Sequence, residues 1–199
     1  MKKSASLIIV LTCTAILSGL ILAFLNNVTK PLIEAHAAEV LKNAVSDVLP
    51  GIESYDVENK DGVDFFMGKD VNGTVLNVAF QAIGNGFQSK LKILVGMDLE
   101  MKNILSIKVL EQMETPGLGT KIETDPGDKE NPGWFYKQFS GLQISSKAIS
   151  YVKNEPVKDE NKAKAQIVAI TGATISSKAV VDIINDAIEK NRKIFLKQG

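Results

Sequence analysis

Four consecutive residues near the C-terminus, Thr171, Gly172, Ala173 and Thr174, have the types and spacing of an attachment point for a ligand. Because glycine and alanine are small, a planar ligand can lie almost on their backbone, and the Thr174 hydroxyl can carry a covalent group. Helical spacing begins at Ile175, and the N-terminus of a helix presents unpaired N–H groups and a partial positive charge that stabilise phosphate. The tetrad therefore predicts an attachment site for a phosphorylated ligand.

A structural role for Thr174 is the alternative interpretation. Threonine before a helix often accepts a hydrogen bond from a backbone N–H group and so caps the helix. The local sequence alone leaves both interpretations open, because one short motif is weak evidence. Ser176 and Ser177, which follow directly, carry the next available hydroxyl groups.

A second segment, residues 114–119, reads Glu-Thr-Pro-Gly-Leu-Gly and follows a predicted strand over residues 104–110. Pro116 restricts one backbone angle, whereas Gly117 and Gly119 adopt conformations closed to other residues and permit a ring to approach closely. Taken alone, the segment is an ordinary turn between two elements. Together with the tetrad, it is predicted to form the other wall of a pocket.

The composition excludes several classes of chemistry. The 199 residues include 23 basic and 23 acidic side chains, so the chain lacks the excess positive charge that nucleic-acid binding requires. Cys13 and His36 are the only residues of their types, which excludes a disulfide within the chain and argues against a metal site and serine–histidine hydrolysis. The acidic loop over residues 123–133 lacks calcium-loop spacing and is predicted to be a solvated turn. Chemistry beyond acid–base catalysis must therefore come from a bound cofactor.

An uncharged segment over residues 5–25 is long enough to cross a bilayer as a helix. Lys2 and Lys3 precede this segment, so the positive-inside rule places the N-terminus in the cytoplasm and the rest of the chain outside. A cleaved signal peptide is the alternative, but its apolar core is only about 7–15 residues long. The length of the segment favours an uncleaved anchor.

The remaining pattern predicts an α+β fold, with one N-terminal transmembrane helix followed by a single mixed domain. We predict a cytoplasmic N-terminus and anchor over residues 1–26, a linker helix over 27–50 that begins near Pro31, and an extracytoplasmic domain over 51–199. Strands are expected near residues 74–80, 91–97 and 104–110, with the last two joined as a hairpin. Helices are expected over 134–139 and 176–193.

The two motifs, behind one N-terminal membrane helix, resemble the FMN-binding domain family, and most closely its branch of Rnf-type G subunits. Gly86-Phe87 and residues 93–96 are also similar to that family. The resemblance implies that FMN is joined through its phosphate to the Thr174 hydroxyl by a separate flavin transferase, which uses FAD as the donor. Val168 departs from the family pattern, which often has an acidic residue six positions before the acceptor. The implied FMN-binding residues are Thr171, Gly172, Ala173, Thr174, Ile175 and Ser176 in the first motif, and Glu114, Thr115, Gly117, Leu118 and Gly119 in the second.

The resemblance also implies a function. The chain would be the electron-carrying subunit of an Rnf-type ion-translocating ferredoxin:NAD oxidoreductase in a bacterial or archaeal cytoplasmic membrane, with lipid and other membrane, iron–sulfur or flavin subunits as partners. No residue would act as a nucleophile during turnover, and no metal is expected. The alternatives are the homologous C subunit of a sodium-pumping NADH:quinone oxidoreductase and a non-catalytic flavin-binding sensor or adaptor. Lys121 and Lys178 are candidate partners of the phosphate or the ring, and Trp134 is expected in the core rather than stacked on the flavin.

Overall fold

The computed structural model describes residues 2–144, 148–153, 156–157, 161–162 and 164–197. The chain divides into two compact units, and the division falls between Lys42 and Asn43. A long N-terminal helix supplies the first unit and ends inside the second. All strands of the described residues belong to the second unit.

The N-terminal helix α1 spans Lys2–Val48 without interruption, with Pro31 inside it. The residues predicted as a linker helix are therefore the direct continuation of the apolar helix. By length and composition, α1 is able to cross a membrane, and its apolar side chains over residues 7–25 are exposed. Such a surface is stable only when lipid or another apolar partner covers it.

Five antiparallel strands form one sheet in chain order, so each strand pairs with the next through a hairpin. The predicted strands near 74–80, 91–97 and 104–110 are confirmed as the three C-terminal members of this sheet. For the two N-terminal strands, the sequence predicted strand structure from Ile52 onward but no bounds. Most side chains of the first strand are exposed, so its sequence does not alternate between apolar and polar residues. The bounds are β1 Ser54–Lys60, β2 Val63–Lys69, β3 Val75–Asn85, β4 Lys90–Asp98 and β5 Ile104–Glu111.

The β4–β5 hairpin forms without glycine. Met101 takes a positive φ of 52° in the turn and is fully buried, which offsets the cost of this conformation. The Asp98 carboxylate accepts hydrogen bonds from the backbone N–H groups of Lys102 (2.7 Å) and Asn103 (3.2 Å). A side chain therefore stabilises this turn.

A C-terminal helix, α3 (Thr174–Leu196), packs on one face of the sheet. Phe65, Phe80 and Ile93 from the strands and Val180 and Ile184 from α3 are fully buried in one apolar cluster. A short helix, α2 (Trp134–Lys137), adds Phe135 to this cluster, so both predicted helices are confirmed. This packing holds the first turn of α3 beside the end of β3.

The other face of the sheet is covered by the last residues of α1. Val45, Val48 and Leu49 are at most 1% exposed. A Cβ atom on Gly96 would lie 2.3 Å from the Val48 carbonyl oxygen, so a glycine in β4 permits this close approach. Residues ahead of the predicted domain start at residue 51 therefore contribute to the core of the second unit, which begins at Asn43.

A short parallel pair leads into the tetrad. Strands β6 (Ser150–Val152) and β7 (Gln166–Val168) form it, and the sequence pattern did not predict them. The buried Gln138 side chain acts as a further strand partner for β7. It accepts a hydrogen bond from the Val168 N–H group (2.8 Å) and donates one to the Val168 carbonyl (3.1 Å).

Replacing Gln138 with leucine is expected to lower the free energy of unfolding by about 2 kcal/mol or more, because two buried backbone groups of Val168 lose their partners. Urea denaturation measures this change. The same substitution at Gln143, which is exposed, is the matched control. Equal stability of the two variants would show that β7 does not need the amide.

Candidate functional site

The tetrad begins in a tight turn over residues 170–173. The Ala173 N–H group donates to the Ile170 carbonyl (3.0 Å), and Gly172 has a positive φ of 83°, as the third position of a type II turn requires. The buried Ser177 hydroxyl accepts a hydrogen bond from the Ile170 N–H group (2.9 Å) and donates one to the Ala173 carbonyl (3.0 Å). The Ser177 side chain, in the first turn of α3, therefore stabilises the backbone of the turn over residues 170–173.

Thr174 is the first residue of α3, and the capping position before it is occupied by Ala173, which has no side-chain hydrogen bond to give. The helix-cap interpretation of Thr174 is therefore wrong. Its side chain is half-buried, and within the described residues its hydroxyl makes no hydrogen bond. The hydroxyls of Ser176 and Ser177 are buried and hydrogen-bonded. Of the three, Thr174 has the hydroxyl that is available for chemistry.

The start of α3 also offers backbone donors. The hydrogen bond from the Ser177 N–H group to the Ala173 carbonyl (3.0 Å) closes the first turn. The N–H groups of Thr174, Ile175 and Ser176 precede that bond and have no acceptor inside the helix. A phosphate on the Thr174 hydroxyl would lie close to these donors and to the positive end of the helix dipole.

The second motif forms a turn of the same kind. The Leu118 N–H group donates to the Thr115 carbonyl (3.1 Å), and Gly117 has a positive φ of 74°. The Gly117 N–H group also donates to the Thr120 hydroxyl (3.0 Å). A single turn of 3₁₀ helix, Gly119–Ile122, follows.

Glu114 joins the two motifs. Its carboxylate is buried, with 3% of the residue exposed, and accepts a hydrogen bond from the Ser176 hydroxyl (2.6 Å) through Oε2. Its Oε1 accepts hydrogen bonds from the backbone N–H groups of Gln88 (3.0 Å) and Ser89 (3.3 Å) in the turn between β3 and β4. Burial by itself raises the pKa of Glu114, but the hydrogen bonds from Ser176, Gln88, Ser89 and Phe87 outweigh it, so the pKa is lowered.

Two glycines leave the space that this carboxylate needs. A Cβ atom on Gly86 would lie 2.5 Å from Oε1 of Glu114. A Cβ atom on Gly119 would lie 2.7 Å from the Glu114 Cβ and 2.9 Å from the Ser176 Oγ. All three distances are shorter than non-bonded contacts allow, so these positions require glycine.

Residues of these three segments line a cavity of about 280 Å³ that is open to solvent on one side. Eight of the predicted site residues line it together with Phe87, which the site prediction did not include although its Gly86-Phe87 pair carried part of the family resemblance. The signal that could have found Phe87 is an apolar side chain directly after a glycine turn. Apart from Phe87, the lining residues are Thr115, Leu118, Gly119, Gly172, Ala173, Thr174, Ile175 and Ser176.

Three predicted site residues lie outside this lining. Glu114 is behind Gly119, and Gly117 forms the turn, where a Cβ atom would meet no atom within 4 Å. Thr171 lines a second cavity of about 300 Å³, which is also lined by Trp134. A larger cavity of about 600 Å³ lies between the end of β3 and α3 and shares only Ile175 with the two motifs.

The candidate lysines are already paired. The Lys121 ammonium lies 3.1 Å from the Asp125 carboxylate, and Lys178 pairs with Asp182 one helical turn later. Asp125 also accepts a hydrogen bond from the Trp134 indole N–H group (3.3 Å), which places Trp134 at the second cavity. The cavity at Thr174 is therefore lined by apolar side chains, small residues and hydroxyls.

This cavity has features that suit FMN. Phe87, Leu118 and Ile175 are 44–60% exposed and provide apolar surface for a flat ring. A Cβ atom on Gly172 would lie only 3.1 Å from the Leu118 side chain, so the absence of a side chain at Gly172 lets the two turns pack tightly at the cavity wall. The hydroxyl of Thr174 and the free N–H groups of α3 suit a phosphate.

Known proteins that are similar to this chain include two G subunits and one protein of known crystal structure. The G subunit of an ion-translocating oxidoreductase complex from Methanosarcina acetivorans is 26% identical over 196 residues, which cover 94% of each chain. The G subunit of a proton-translocating ferredoxin:NAD(+) oxidoreductase complex from Clostridium ljungdahlii is 26% identical over 90% of this chain and 87% of its own. The crystal structure of Shewanella oneidensis NqrC has the same fold, with a TM-score of 0.57 and 22% identity over 77% of this chain and 72% of that chain. The sequence model of the FMN-binding domain family matches residues 86–189, which is more than half of the sequence. The chain therefore belongs to the FMN-binding domain family.

Proposed function

We propose that this chain is the membrane-anchored flavoprotein subunit of an Rnf-type ion-translocating ferredoxin:NAD oxidoreductase, and that it relays electrons through FMN held covalently on Thr174. Its partners would be other membrane, iron–sulfur and flavin subunits of the same complex. The similarity to two G subunits over most of the chain supports this assignment.

The observation that carries the covalent part of the proposal is the state of the three neighbouring hydroxyls. Ser176 and Ser177 use theirs in hydrogen bonds inside the protein, whereas Thr174 lines the cavity at the start of α3 and its hydroxyl makes no hydrogen bond within the described residues. In the attachment step, this oxygen would displace AMP from the FMN phosphorus of FAD, with loss of its proton. The products are a threonyl phosphodiester of FMN and free AMP, and a separate flavin transferase would catalyse the exchange.

The chain's own residues would then hold and orient the cofactor. The N–H groups of α3 would bind the phosphate, and Phe87, Leu118 and Ile175 would exclude water from one part of the ring. Bound FMN would supply the ability to accept and release electrons one at a time, which no side chain of this protein provides. The covalent bond would prevent loss of the cofactor outside the cell.

The topology is part of the proposal. Lys2 and Lys3 precede the apolar segment, so the N-terminus would remain in the cytoplasm and the FMN domain would lie on the outer side of the membrane. The apolar part of α1 would remain in lipid and dock against a membrane partner of the complex.

Acid denaturation tests the proposal directly. The full-length protein, produced together with a flavin transferase, should keep its visible flavin absorption after precipitation in acid. Trypsin should release residues 165–178 with the mass of the peptide plus FMN less one water. Flavin that washes out in acid would instead support the sensor or adaptor alternative, and a protein without any flavin would contradict both.

The fold likeness to NqrC keeps one alternative within the family, the C subunit of a sodium-pumping NADH:quinone oxidoreductase. Purification of the native complex distinguishes the two. Iron–sulfur subunits of the ferredoxin type should accompany the chain if it serves an Rnf-type complex. A quinone-reducing set without them would reassign it.

A further inference from the structure

The Glu114 carboxylate carries a buried charge that no cation neutralises among the described residues. Its partners are one hydroxyl and backbone N–H groups, which stabilise the anion as dipoles but leave its net charge in place. The lysines on the surrounding elements either form ion pairs with other carboxylates or are exposed. Lys92 pairs with Glu111 (2.7 Å) and Lys121 with Asp125 (3.1 Å), while Lys90 is exposed at the start of β4; Lys178 pairs with Asp182.

The position of this charge relative to the cavity is defined by two lining residues. Ser176, which donates to Oε2 at 2.6 Å, and Gly119, whose hypothetical Cβ would lie 3.0 Å from the same oxygen, both line the cavity. Glu114 itself does not. The carboxylate therefore lies directly behind one wall of the cavity, in a water-poor region where a charge acts over a longer distance than it does in solvent.

The same carboxylate connects all three segments that form the cavity. It belongs to the second motif, binds the backbone of the β3–β4 turn through Oε1 and binds α3 through Oε2. The side chain of Ser89 adds a link, because its hydroxyl accepts a hydrogen bond from the Met113 N–H group (2.8 Å). A change at Glu114 should therefore affect both the shape of the wall and the charge behind it.

We propose that Glu114 is a positioning residue that holds the cavity wall together and places a fixed negative charge behind it, so that the flavin is harder to reduce. The proposal rests on the function proposed above. An electron that enters the ring without a proton adds negative charge, and a nearby carboxylate opposes that addition. The hydrogen bonds between Glu114 and its neighbours carry no net charge, so without the carboxylate charge they would not oppose reduction of the flavin in this way.

The pH dependence has a defined sign. Because the pKa of Glu114 is lowered in the folded protein, its contribution to stability is fully present above the ordinary pKa of 4.5 and is lost as the pH falls through the lower, folded-state pKa. At neutral pH the carboxylate is ionised, and the charge required by the proposal is present.

The test uses full-length flavin-bound protein and the variant Glu114→Gln, which keeps the size of the side chain and removes the charge. At a fixed applied potential, the ratio of reduced to oxidised flavin should rise about tenfold relative to the wild type. Glu111→Gln is the matched control, because it removes an exposed carboxylate from β5, and it should leave the ratio unchanged. An unchanged ratio in Glu114→Gln would overturn the proposal.

Ser89→Ala separates charge from structure, because it removes the hydrogen bond that ties the Met113 N–H group to the β3–β4 turn and keeps the Glu114 carboxylate. It should destabilise the protein in urea without raising the ratio of reduced to oxidised flavin. An equal rise in both variants would mean that the wall, and not the charge, sets the ratio. If Glu114→Gln does not fold, Glu114→Asp provides the test, because it keeps the negative charge. The ratio of reduced to oxidised flavin in this variant should stay within about twofold of the wild type. A tenfold rise in Glu114→Asp would overturn the proposal that the charge of Glu114 sets the ratio.

Failure of this proposal can be distinguished from failure of the proposed function. In cofactor-free protein, the difference in urea stability between the wild type and Glu114→Gln should decrease as the pH falls below 4.5. This measurement does not depend on flavin. A wild-type protein without flavin would refute the proposed function, whereas a flavin-bound wild type with an unaltered Glu114→Gln ratio would refute only the role of Glu114.

Discussion

Thr174→Ala should abolish covalent flavin and change the free energy of unfolding by no more than about 0.5 kcal/mol. The Thr174 side chain is half-buried, does not cap α3 and makes no hydrogen bond within the described residues. Its removal therefore costs the fold little. The attachment chemistry, in contrast, loses its acceptor, because the neighbouring hydroxyls of Ser176 and Ser177 are buried and hydrogen-bonded.

In-gel flavin fluorescence and the mass of the tryptic peptide over residues 165–178 measure this effect. Thr174→Ser keeps a hydroxyl and should retain attachment, while Thr74→Ala removes an exposed hydroxyl far along the chain and should have no effect. Fluorescence in Thr174→Ala equal to that of the wild type would make Ser176 or Ser177 the acceptor.

The second large effect is expected at the C-terminal end of α1. Val45→Asp should lower the free energy of unfolding by about 3–5 kcal/mol, because Val45 is fully buried against the sheet and a carboxylate there has no partner. A loss of this size is a large part of the stability of a typical domain. Urea denaturation of a chain that starts at Asn43 measures it without the apolar segment.

Ser46→Asp is the matched control for this substitution. Ser46 is the next residue of the same helix, and its side chain is exposed, so the same charge should cost less than about 0.5 kcal/mol. Shortening the chain to begin at Gly51 should destabilise the domain as strongly as Val45→Asp, since it removes Val45, Val48 and Leu49 together. A stable chain from Gly51 onward would show that this end of α1 is dispensable.

Much of the site was predictable because its chemistry is local. The glycines and the proline of the two motifs specify turns through their own backbone preferences, and both turns occur with Gly117 and Gly172 at positive φ. The apolar spacing after Thr174 specifies a helix, which is confirmed as α3. Sequence patterns of this kind act over a few residues and need no knowledge of the tertiary fold.

The rest depends on contacts between distant residues. Glu114 was predicted as an FMN contact, but its hydrogen bond with Ser176 was not. The two residues are 62 positions apart in sequence and meet only in the folded protein. Strand β7 is short and depends on the Gln138 side chain, 30 residues earlier, for two of its hydrogen bonds. The surface against which Val45 and Val48 pack could not be read from the sequence, because their helix continues an apolar anchor. In each case the deciding partner lies outside any local window.

The hydrogen bonds of Ser176 and Ser177 also have a consequence for biogenesis. An unfolded chain presents three free hydroxyl groups within residues 174–177, and a modifying enzyme would have to choose among them by sequence alone. Folding withdraws two of these alcohols into the interior and leaves one at the surface of a cavity. We therefore expect maturation to follow folding, because in the native state Thr174 is the one of these three residues whose hydroxyl remains available.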